Sequence, residues 1–269
     1  MSIFDPLGFL AHYTIGLKIL LQEVWRSCIG WDKPLPEQLY KQWCLWKTLL
    51  PAISVTTIPR CYSPLLTNSK CNQLHTFVDA GEHAYAAVCY IRTQFGNKVD
   101  TIIVAAKSKV TPLKPVSIPR LELQAAVIGV RLATTVKAAL RVPIHARFWW
   151  SDSKTVLKWL RMDPKNFKPY VMHHIGEVLE TTNATDWRWV PSKLNPADLA
   201  TKFNTQHGSE FWIYGPKFLL FEQAEWPTCK DLGAAEHTEL RHCVLHTTKS
   251  TPEHPLLNAE DFSTWRRLY

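Results

Sequence analysis

Residues 74–109, LHTFVDAGEHAYAAVCYIRTQFGNKVDTIIVAAKSK, decide the fold of this chain. The stretch contains three runs rich in β-branched and aromatic residues, LHTFVDA, HAYAAVCYIRT and VDTIIVAAKSK, and such runs are typical of strands. Gly81 and Glu82 separate the first two runs, and the turn sequence FGNK at 95–98 separates the second from the third. This spacing predicts two consecutive hairpins at the start of a sheet.

The sequence after these hairpins alternates helical and strand patterns. PRLELQAAVIGVRLATTVKAAL predicts a helix with Pro119 at its start, and ARFWWSD predicts the next strand. The remaining pattern consists of the helices SKTVLKWLRM and KPYVMHHIGEVLETT, the strand DWRWVP, and a short helix from Pro196 to about Lys202. This order predicts an α/β fold, with a mixed five-stranded sheet flanked by helices.

Two helices are predicted before the strands, and a weaker pattern follows them. Asp5 and Pro6 resemble an N-cap followed by a proline at the first helical position. A second helical pattern, PLPEQLYKQWCLWKTLL, is predicted to end at Pro51, and the next residues are interpreted as a connector. The predicted organisation is a helical segment over 1–58, a linker over 59–71, an α/β domain over 72–205, and a partly disordered tail over 206–269.

The composition favours a globular protein with a polyanionic partner. The formal net charge of +8 among 269 residues favours nucleic acid. Seven cysteines without a CxxC pair predict no disulfide framework and favour a reducing compartment. The N-terminus lacks the pattern of a signal peptide, and no apolar stretch is long enough to cross a bilayer. We therefore expect an intracellular protein, cytoplasmic and also nuclear, that is neither secreted nor bound to a membrane.

Four carboxylates lie at the ends of the predicted elements. Asp79 ends the first strand, Asp152 ends the fourth strand, Glu122 falls in the first turn of the long helix, and Asp198 falls in the short helix NPADLATK. Each acid by itself fits a helix cap, a turn or a solvated position. Because strand ends and helix starts converge on one edge of such a sheet, the four together predict a functional site.

Four clustered carboxylates repel one another unless cations neutralise them. Mg²⁺ is the expected occupant because it is a hard cation that prefers oxygen ligands, and Mn²⁺ is able to substitute for it. Two such ions, about 3.5–4 Å apart, activate water and stabilise the leaving oxygen in phosphodiester hydrolysis. The acids therefore predict a nuclease with two metal ions.

Several long blocks of the sequence are similar to a known family. FVDAGEHAYAAVCYIR, VAAKSKVTPLKPVSIPRLELQAAVIGVRLA, FWWSDSKTVLKWLRMDPKNFKPYV and DWRWVPSKLNPADLATK resemble the ribonuclease H region of BEL/Pao-type LTR retrotransposon polyproteins. FDPLGFLAHYTIGLKILLQEVW resembles the segment that joins the reverse transcriptase of this family to its ribonuclease H. WIYGPKFLL and EWP are similar to the stretch after that domain, and LLNAEDFSTWRRLY to the lead into the integrase. The resemblance covers nearly the whole chain.

The resemblance implies an RNase H-like fold and an endonuclease that cleaves the RNA strand of RNA–DNA hybrids. The acid order of that family is matched by Asp79 in FVDA, Glu122 in PRLEL, Asp152 in WSDS and Asp198 in NPAD. The implied partners are the hybrid or another nucleic acid, together with the reverse-transcriptase and integrase parts of a parent polyprotein. Residues 1–58 then represent the end of the reverse transcriptase, the tail leads toward an integrase, and virus-like particles become a further expected location.

One departure from the wider ribonuclease H pattern lies in the loop before the last acid. Many relatives carry a histidine there that is thought to assist product release, whereas this sequence has Ser192 and Lys193 in VPSKLNPAD. His173 and His174, on another helix, are the alternative sources of an imidazole. The departure predicts slow turnover.

Basic and small polar residues near the acids predict the contacts to substrate. Basic side chains hold phosphates, so that affinity falls as salt rises, and contacts to 2′-hydroxyls distinguish RNA from DNA. The predicted nucleic-acid-binding residues are Lys107, Lys109, Arg120, Ser151, Ser153, Lys154, Lys158 and Lys193.

Two other functions remain open. A catalytically inactive, nucleic-acid-binding remnant of a retroelement would bind hybrids without cleaving them. An integrase-type transferase shares the fold, but it carries its acids in the order Asp, Asp, Glu, which differs from the order found here. His237, His242, Cys243 and His246 match no standard zinc spacing, and we interpret them as incidental composition of the tail.

Overall fold

A mixed five-stranded sheet forms the centre of the protein. The computed structural model describes residues 3–66, 69, 71–202, 209–229, 231–233 and 239–241. The strands are β1 (Cys71–Ala80), β2 (Ala84–Phe95), β3 (Lys98–Val110), β4 (Ala146–Ser151) and β5 (Trp187–Trp189), in the spatial order β3-β2-β1-β4-β5. The predicted α/β fold and both predicted hairpins are confirmed.

Strand direction changes across the sheet. β1 pairs with β2 and β2 with β3 in antiparallel fashion, whereas β1 with β4 and β4 with β5 are parallel. The parallel pairing requires a long crossover between β1 and β4. Strands β2 and β3 and helix α4 (Ile118–Ala139) lie within that crossover. As a result, the carboxyl ends of β1 and β4 lie side by side.

Helix α4 packs directly on the sheet. A β-carbon placed at Gly129 would lie 2.5 Å from Cγ1 of Val78, so only glycine permits this close approach of the helix to β1. Leu121, Leu123 and Ala133 of the same helix are buried against the sheet. The close packing fixes the start of α4 relative to the end of β1.

Two further helices lie between β4 and β5 in the chain, and the second of them packs on α4. They are α5 (Lys154–Trp159) and α6 (Pro169–Thr181), and a 3-10 helix over Pro196–Ala200 follows β5. Trp149 on β4 stacks on Trp187 of β5, with ring centroids 5.4 Å apart, and both residues are buried. Trp150 is buried as well, so the two consecutive tryptophans of β4, Trp149 and Trp150, both belong to the core.

The N-terminal segment docks along the outer strand β3. The amide of Ala106 donates to the carbonyl oxygen of Leu7 at 2.8 Å, and Gly8 adopts a φ of 75° next to it. Helix α1 (Ala11–Arg26) begins later than the Asp5-Pro6 pattern predicted. Asp5 caps the preceding turn instead, because its carboxylate accepts the amides of Phe9 and Leu10 at 2.9 and 2.8 Å.

Two short helices pack on α1. They are α2 (Glu37–Lys47) and α3 (Leu50–Val55). The predicted helix end at Pro51 is wrong, because Pro51 lies in the first turn of α3, where its missing amide hydrogen has no cost. Trp46 is buried against Tyr13 and donates from Nε1 to the carbonyl oxygen of Tyr13 at 3.1 Å.

A C-terminal segment covers the face of the sheet opposite α4. It includes α7 (Ser209–Tyr214) and a 3-10 turn over Lys217–Leu220. Arg92 of β2 donates to the carbonyl oxygen of Leu219 at 2.7 Å, and Phe218 packs on Phe77 and Trp150. The predicted domain boundaries stay a prediction, although this segment and the sheet share one core.

The histidine and cysteine cluster of the tail and the final stretch DFSTWRRLY lie outside the described residues. Among the helices that the structure describes, none is both long enough and apolar enough to cross a membrane.

Candidate active site

The register of β1 and β4 places two acids next to each other. Val78 pairs with Ser151, so that Asp79 and Asp152 follow at the adjacent carboxyl ends of the two strands. Asp79 is buried, with 4% of its surface exposed, whereas Asp152 is partly exposed. The parallel pairing therefore creates a close pair of carboxylates at one edge of the sheet.

Glu122 of α4 completes a group of three acids. One carboxylate oxygen from each of Asp79, Glu122 and Asp152 lies within 4.8 Å of the other two. The helix begins at Ile118, so Glu122 is the fifth residue and lies in the second turn, not in the first turn as the sequence indicated. The attraction of a helix start for negative charge therefore contributes little here, and packing of α4 on β1 positions the side chain.

Asp198 lies beside this group but has a different partner. It forms an ion pair with Lys202, one helical turn later, and about a third of its side chain is exposed. Its charge also raises the pKa of Asp79 and of Glu122, although burial and nearer acids are larger causes. The structure thus brings three of the four predicted acids into mutual contact distance and leaves Asp198 at the border.

Residues of the loop and 3-10 helix after β5 hold the acids in place. Thr201 donates from Oγ1 to Oδ2 of Asp79 at 2.6 Å, and Ser192 donates to Oδ2 of Asp152 at 2.5 Å. Asn195 donates from Nδ2 to the carbonyl oxygen of Val78 at 3.0 Å and to Oδ1 of Asp152 at 3.5 Å. One short segment therefore fixes the carboxylates of both strands.

Sequence reasoning missed Thr201, Asn195 and Lys202 as parts of the site. Their signal was present in NPADLATK, where an asparagine, a threonine and a lysine surround Asp198 at helical spacings. These residue types also suit ordinary helix caps and solvated surfaces, so the pattern alone did not separate the two roles. Ser192 was noted only as a replacement for histidine, whereas its hydroxyl contacts Asp152 directly.

The electrostatics of the site are those of like charges held together. Burial, followed by repulsion from Asp152, raises the pKa of Asp79 to about 7. Burial, followed by repulsion from Asp79 and Asp152, raises the pKa of Glu122 to about 9. The ion pair with Asp198 raises the pKa of Lys202. A cation between the acids would offset the repulsion among their negative charges.

The donor set fits a hard divalent cation. All three clustered groups supply carboxylate oxygens, which Mg²⁺ and Mn²⁺ prefer. Oε2 of Glu122 is buried and has no hydrogen-bond partner among the described residues. A buried oxygen without a partner is costly, and a metal ion at this place would satisfy it.

The predicted phosphate-binding residues fall into two groups. Arg120, Lys154, Lys158 and Lys193 lie near the acids along the chain, on α4, on α5 and in the loop after β5. Lys107 and Lys109 lie on β3, two strands away from β1, and line a groove of about 830 Å³ between α4 and the N-terminal segment. None of the four acids lines this groove, so it is separate from the acid cluster.

Three of the residues predicted to contact nucleic acid already have partners within the protein. Ser151 is fully buried, and its hydroxyl accepts the amide of Ser153 at 3.1 Å, so it supports the loop and cannot reach a ligand. Ser153 is the N-cap of α5 and accepts the amide of Val156 at 3.4 Å. Arg120 is already bound to a carboxylate, that of Glu239, at 2.8 and 2.9 Å.

Neither alternative histidine is bound to the acids. His174 forms a hydrogen bond with the carbonyl oxygen of Tyr170 at 2.7 Å and stacks on the phenol ring of Tyr170. His173 is exposed on α6. Slow turnover stays a prediction.

The family of the chain follows from comparison with known proteins. A model of the family described as the Pao retrotransposon-like RNaseH-like domain matches residues 1–153, and the chain belongs to this family. The match includes the helical N-terminal segment, Asp79, Glu122 and Asp152, and it ends before Asp198.

Two solved structures are similar to part of the chain. One is the N-terminal RNase H domain of a Mycobacterium tuberculosis protein, solved as a fusion with maltose-binding protein. It is 16% identical in sequence, the match covers 48% of this chain and 90% of that chain, and the TM-score is 0.35. The other is RNase H1 from the halophilic archaeon Halobacterium salinarum. It is 17% identical in sequence, the match covers 47% of this chain and 89% of that chain, and the TM-score is 0.31. No curated protein is significantly similar to the chain.

Proposed function

We propose that this protein is a metal-dependent endonuclease that cleaves the RNA strand of RNA–DNA hybrids. The observation that carries the proposal is the cluster of Asp79, Glu122 and Asp152, whose oxygens lie within 4.8 Å of one another at one edge of an RNase H-like sheet. Mutual repulsion and a buried, partnerless Glu122 oxygen both favour cation binding there. Membership of an RNase H-like family agrees with this chemistry.

Asp79, Glu122 and Asp152 would hold a first divalent ion, and Asp198 would contribute to a second. Bound Mg²⁺ or Mn²⁺ supplies an activated water and stabilises the leaving 3′-oxygen. Asp198 would have to leave Lys202 in order to contribute, and the lysine of this ion pair is largely exposed, so the loss of the pair has a small cost. Thr201 and Ser192 keep the carboxylates of Asp79 and Asp152 oriented, as supporting hydrogen bonds do around metal ligands.

Binding of the hybrid would use the cations that surround the acids. Lys154 and Lys193 are exposed, and Lys158 is half-buried one turn after Lys154. Their charges would hold backbone phosphates, which makes binding sensitive to salt. Recognition of 2′-hydroxyls falls to Ser153 and to backbone amides of the loop after β4, since Ser151 is inaccessible. The parent polyprotein, with its reverse transcriptase and integrase, and the intracellular location belong to the same proposal.

The direct test is cleavage of a labelled hybrid by the full chain in Mg²⁺, in Mn²⁺ and in EDTA. We expect RNA products with 5′-phosphate ends in either metal, none in EDTA, and no cleavage by Asp152→Asn. Asp32→Asn, at an exposed loop position, is the matched control and should cleave normally. Cleavage that persists in Asp152→Asn would contradict the assignment of the site.

The pairing of Asp198 with Lys202 favours a second candidate, a nucleic-acid-binding protein without catalysis. A lysine that holds the fourth acid leaves only three acids around a shared space. This candidate predicts salt-dependent binding of the hybrid with no cleavage at any metal concentration. If the ion pair is the reason for the missing catalysis, replacement of Lys202 by methionine should produce cleavage that the wild type lacks.

A further inference from the structure

Three of the basic residues assigned to substrate binding lie next to the acids in the chain. Arg120 precedes Glu122 by two residues on α4, Lys154 follows Asp152 by two residues, and Lys158 is one helical turn further on α5. These three side chains are predicted to bind phosphates of the substrate. What they contact in the free protein therefore matters for binding.

A part of the C-terminal region contacts all three cations. We call residues Asp231–Gly233 and Glu239–Arg241 the C-terminal strap. Lys154 donates to the carbonyl oxygen of Asp231 at 3.4 Å. A β-carbon placed at Gly233 would lie 3.5 Å from Nζ of Lys158, so the strap passes directly over this ammonium group.

The strongest contact of the strap is with Arg120. Nε and Nη2 of Arg120 donate to the two carboxylate oxygens of Glu239 at 2.8 and 2.9 Å, and the guanidinium lies 4.9 Å from the ring centre of Tyr170. Glu239 is buried, with 8% of its surface exposed. This paired geometry is the one in which an arginine also binds a phosphate.

The backbone attachment of the strap is short. Leu240 forms an isolated antiparallel bridge with Phe167, the amide of Lys168 donates to the carbonyl oxygen of Glu239 at 2.9 Å, and the amide of Arg241 donates to the carbonyl oxygen of Asn166 at 2.8 Å. A single bridge is much weaker than the extended pairing of the central strands. The backbone pairing that holds the strap is therefore limited to this bridge and its two hydrogen bonds, although Leu240 also packs on the core.

We propose that the C-terminal strap is an intramolecular competitor of nucleic acid. The carboxylate of Glu239 stands in for a backbone phosphate on Arg120, while the carbonyl oxygen of Asp231 accepts from Lys154 and the backbone at Gly233 lies close to Nζ of Lys158. A hybrid must displace the strap to use these cations, so the free protein is held in an autoinhibited state. The inference rests on the proposed function for the position of the substrate, but it is tested by binding and not by catalysis.

The test measures binding of an RNA–DNA hybrid to the full chain in EDTA, by fluorescence anisotropy, for wild type and Glu239→Gln. Glutamine keeps the shape of the side chain but removes the charge that competes with phosphate. We expect Glu239→Gln to bind about two- to fivefold more tightly, the range given by the loss of one ion pair between Glu239 and a partly exposed arginine. Glu210→Gln, an equal charge change at an exposed position on α7, is the matched control and should bind as the wild type does.

Unchanged or weaker binding by Glu239→Gln would overturn the proposal, as would an absence of hybrid binding by both proteins. Hydrogen exchange of the wild type provides a second measurement that needs no variant. Binding of the hybrid should accelerate exchange at the amides of Lys168 and Arg241, because both hydrogen bonds join the strap to residues 166–168. Slower or unchanged exchange there would mean that the strap stays in place as a fixed part of the fold. If the full chain binds the hybrid but does not cleave it in Mg²⁺, this result would contradict the proposed nuclease function and leave the proposed role of the strap unaffected.

Discussion

Replacement of Glu122 by glutamine should stabilise the metal-free protein while it removes a proposed metal ligand. In the fold, the pKa of Glu122 is raised from 4.5 to about 9, with burial as the largest cause and the neighbouring acids next. A carboxyl group whose pKa is raised in the folded state costs stability once the pH exceeds its pKa in the unfolded chain. The cost is absent below about pH 4.5 and grows until the pH reaches about 9.

The magnitude at pH 7 follows from these two values. The folded side chain is still protonated at pH 7, whereas the unfolded one is ionised. The fold therefore loses about 1.4 kcal/mol for each pH unit above 4.5, or about 3 kcal/mol in total. Glutamine avoids this loss, but its amide keeps a buried atom without a partner, which costs about 1 kcal/mol. The expected net gain is about 2 kcal/mol.

The assay is urea unfolding of the full chain in EDTA at several pH values between 4.5 and 8. Glu122→Gln should be more stable than the wild type at pH 7, and the difference should shrink toward zero as the pH falls to 4.5. Mg²⁺ should then stabilise the wild type and have little effect on the variant. Glu180→Gln, at an exposed position on α6, is the control for loss of a carboxylate and should change nothing. A variant that is no more stable than wild type at pH 7, or a difference that does not depend on pH, would refute the reasoning.

Two other predictions concern the support of the site and the docking of the N-terminal segment. Thr201→Val removes the hydroxyl that donates to Asp79 at 2.6 Å. We expect the Mg²⁺ concentration at half-maximal stabilisation to rise about tenfold, while the free energy of unfolding in EDTA changes little. An unchanged Mg²⁺ midpoint would show that Thr201 does not orient the carboxylate of Asp79. Gly8→Ala places a β-carbon 1.9 Å from the carbonyl oxygen of Ala106 at a positive φ, so we expect a loss of about 2–4 kcal/mol in unfolding free energy. Gly30→Ala is the control, because a β-carbon there has no atom within 4 Å. Equal stability of the two variants would mean that the N-terminal segment does not dock on β3.

The sequence by itself determined the fold and the chemical character of the site. Alternating runs between residues 74 and 109 specified two hairpins, because strand periodicity and turn residues act locally. The placement of Asp79 and Asp152 at strand ends also followed from local pattern, as did the presence of Glu122 near a helix start. The resemblance to BEL/Pao-type elements then agreed with the family to which the chain belongs.

Only the tertiary structure decided which groups meet. The register of β1 with β4 sets Asp79 beside Asp152, and the close approach at Gly129 brings Glu122 to them. Thr201 reaches Asp79 across 122 positions of the chain, and Glu239 reaches Arg120 across 119. No local pattern specifies such pairs, because contacts between distant residues depend on how whole elements pack. For the same reason, the burial of Ser151 and the pairing of Asp198 with Lys202 could not be predicted from the residue types alone.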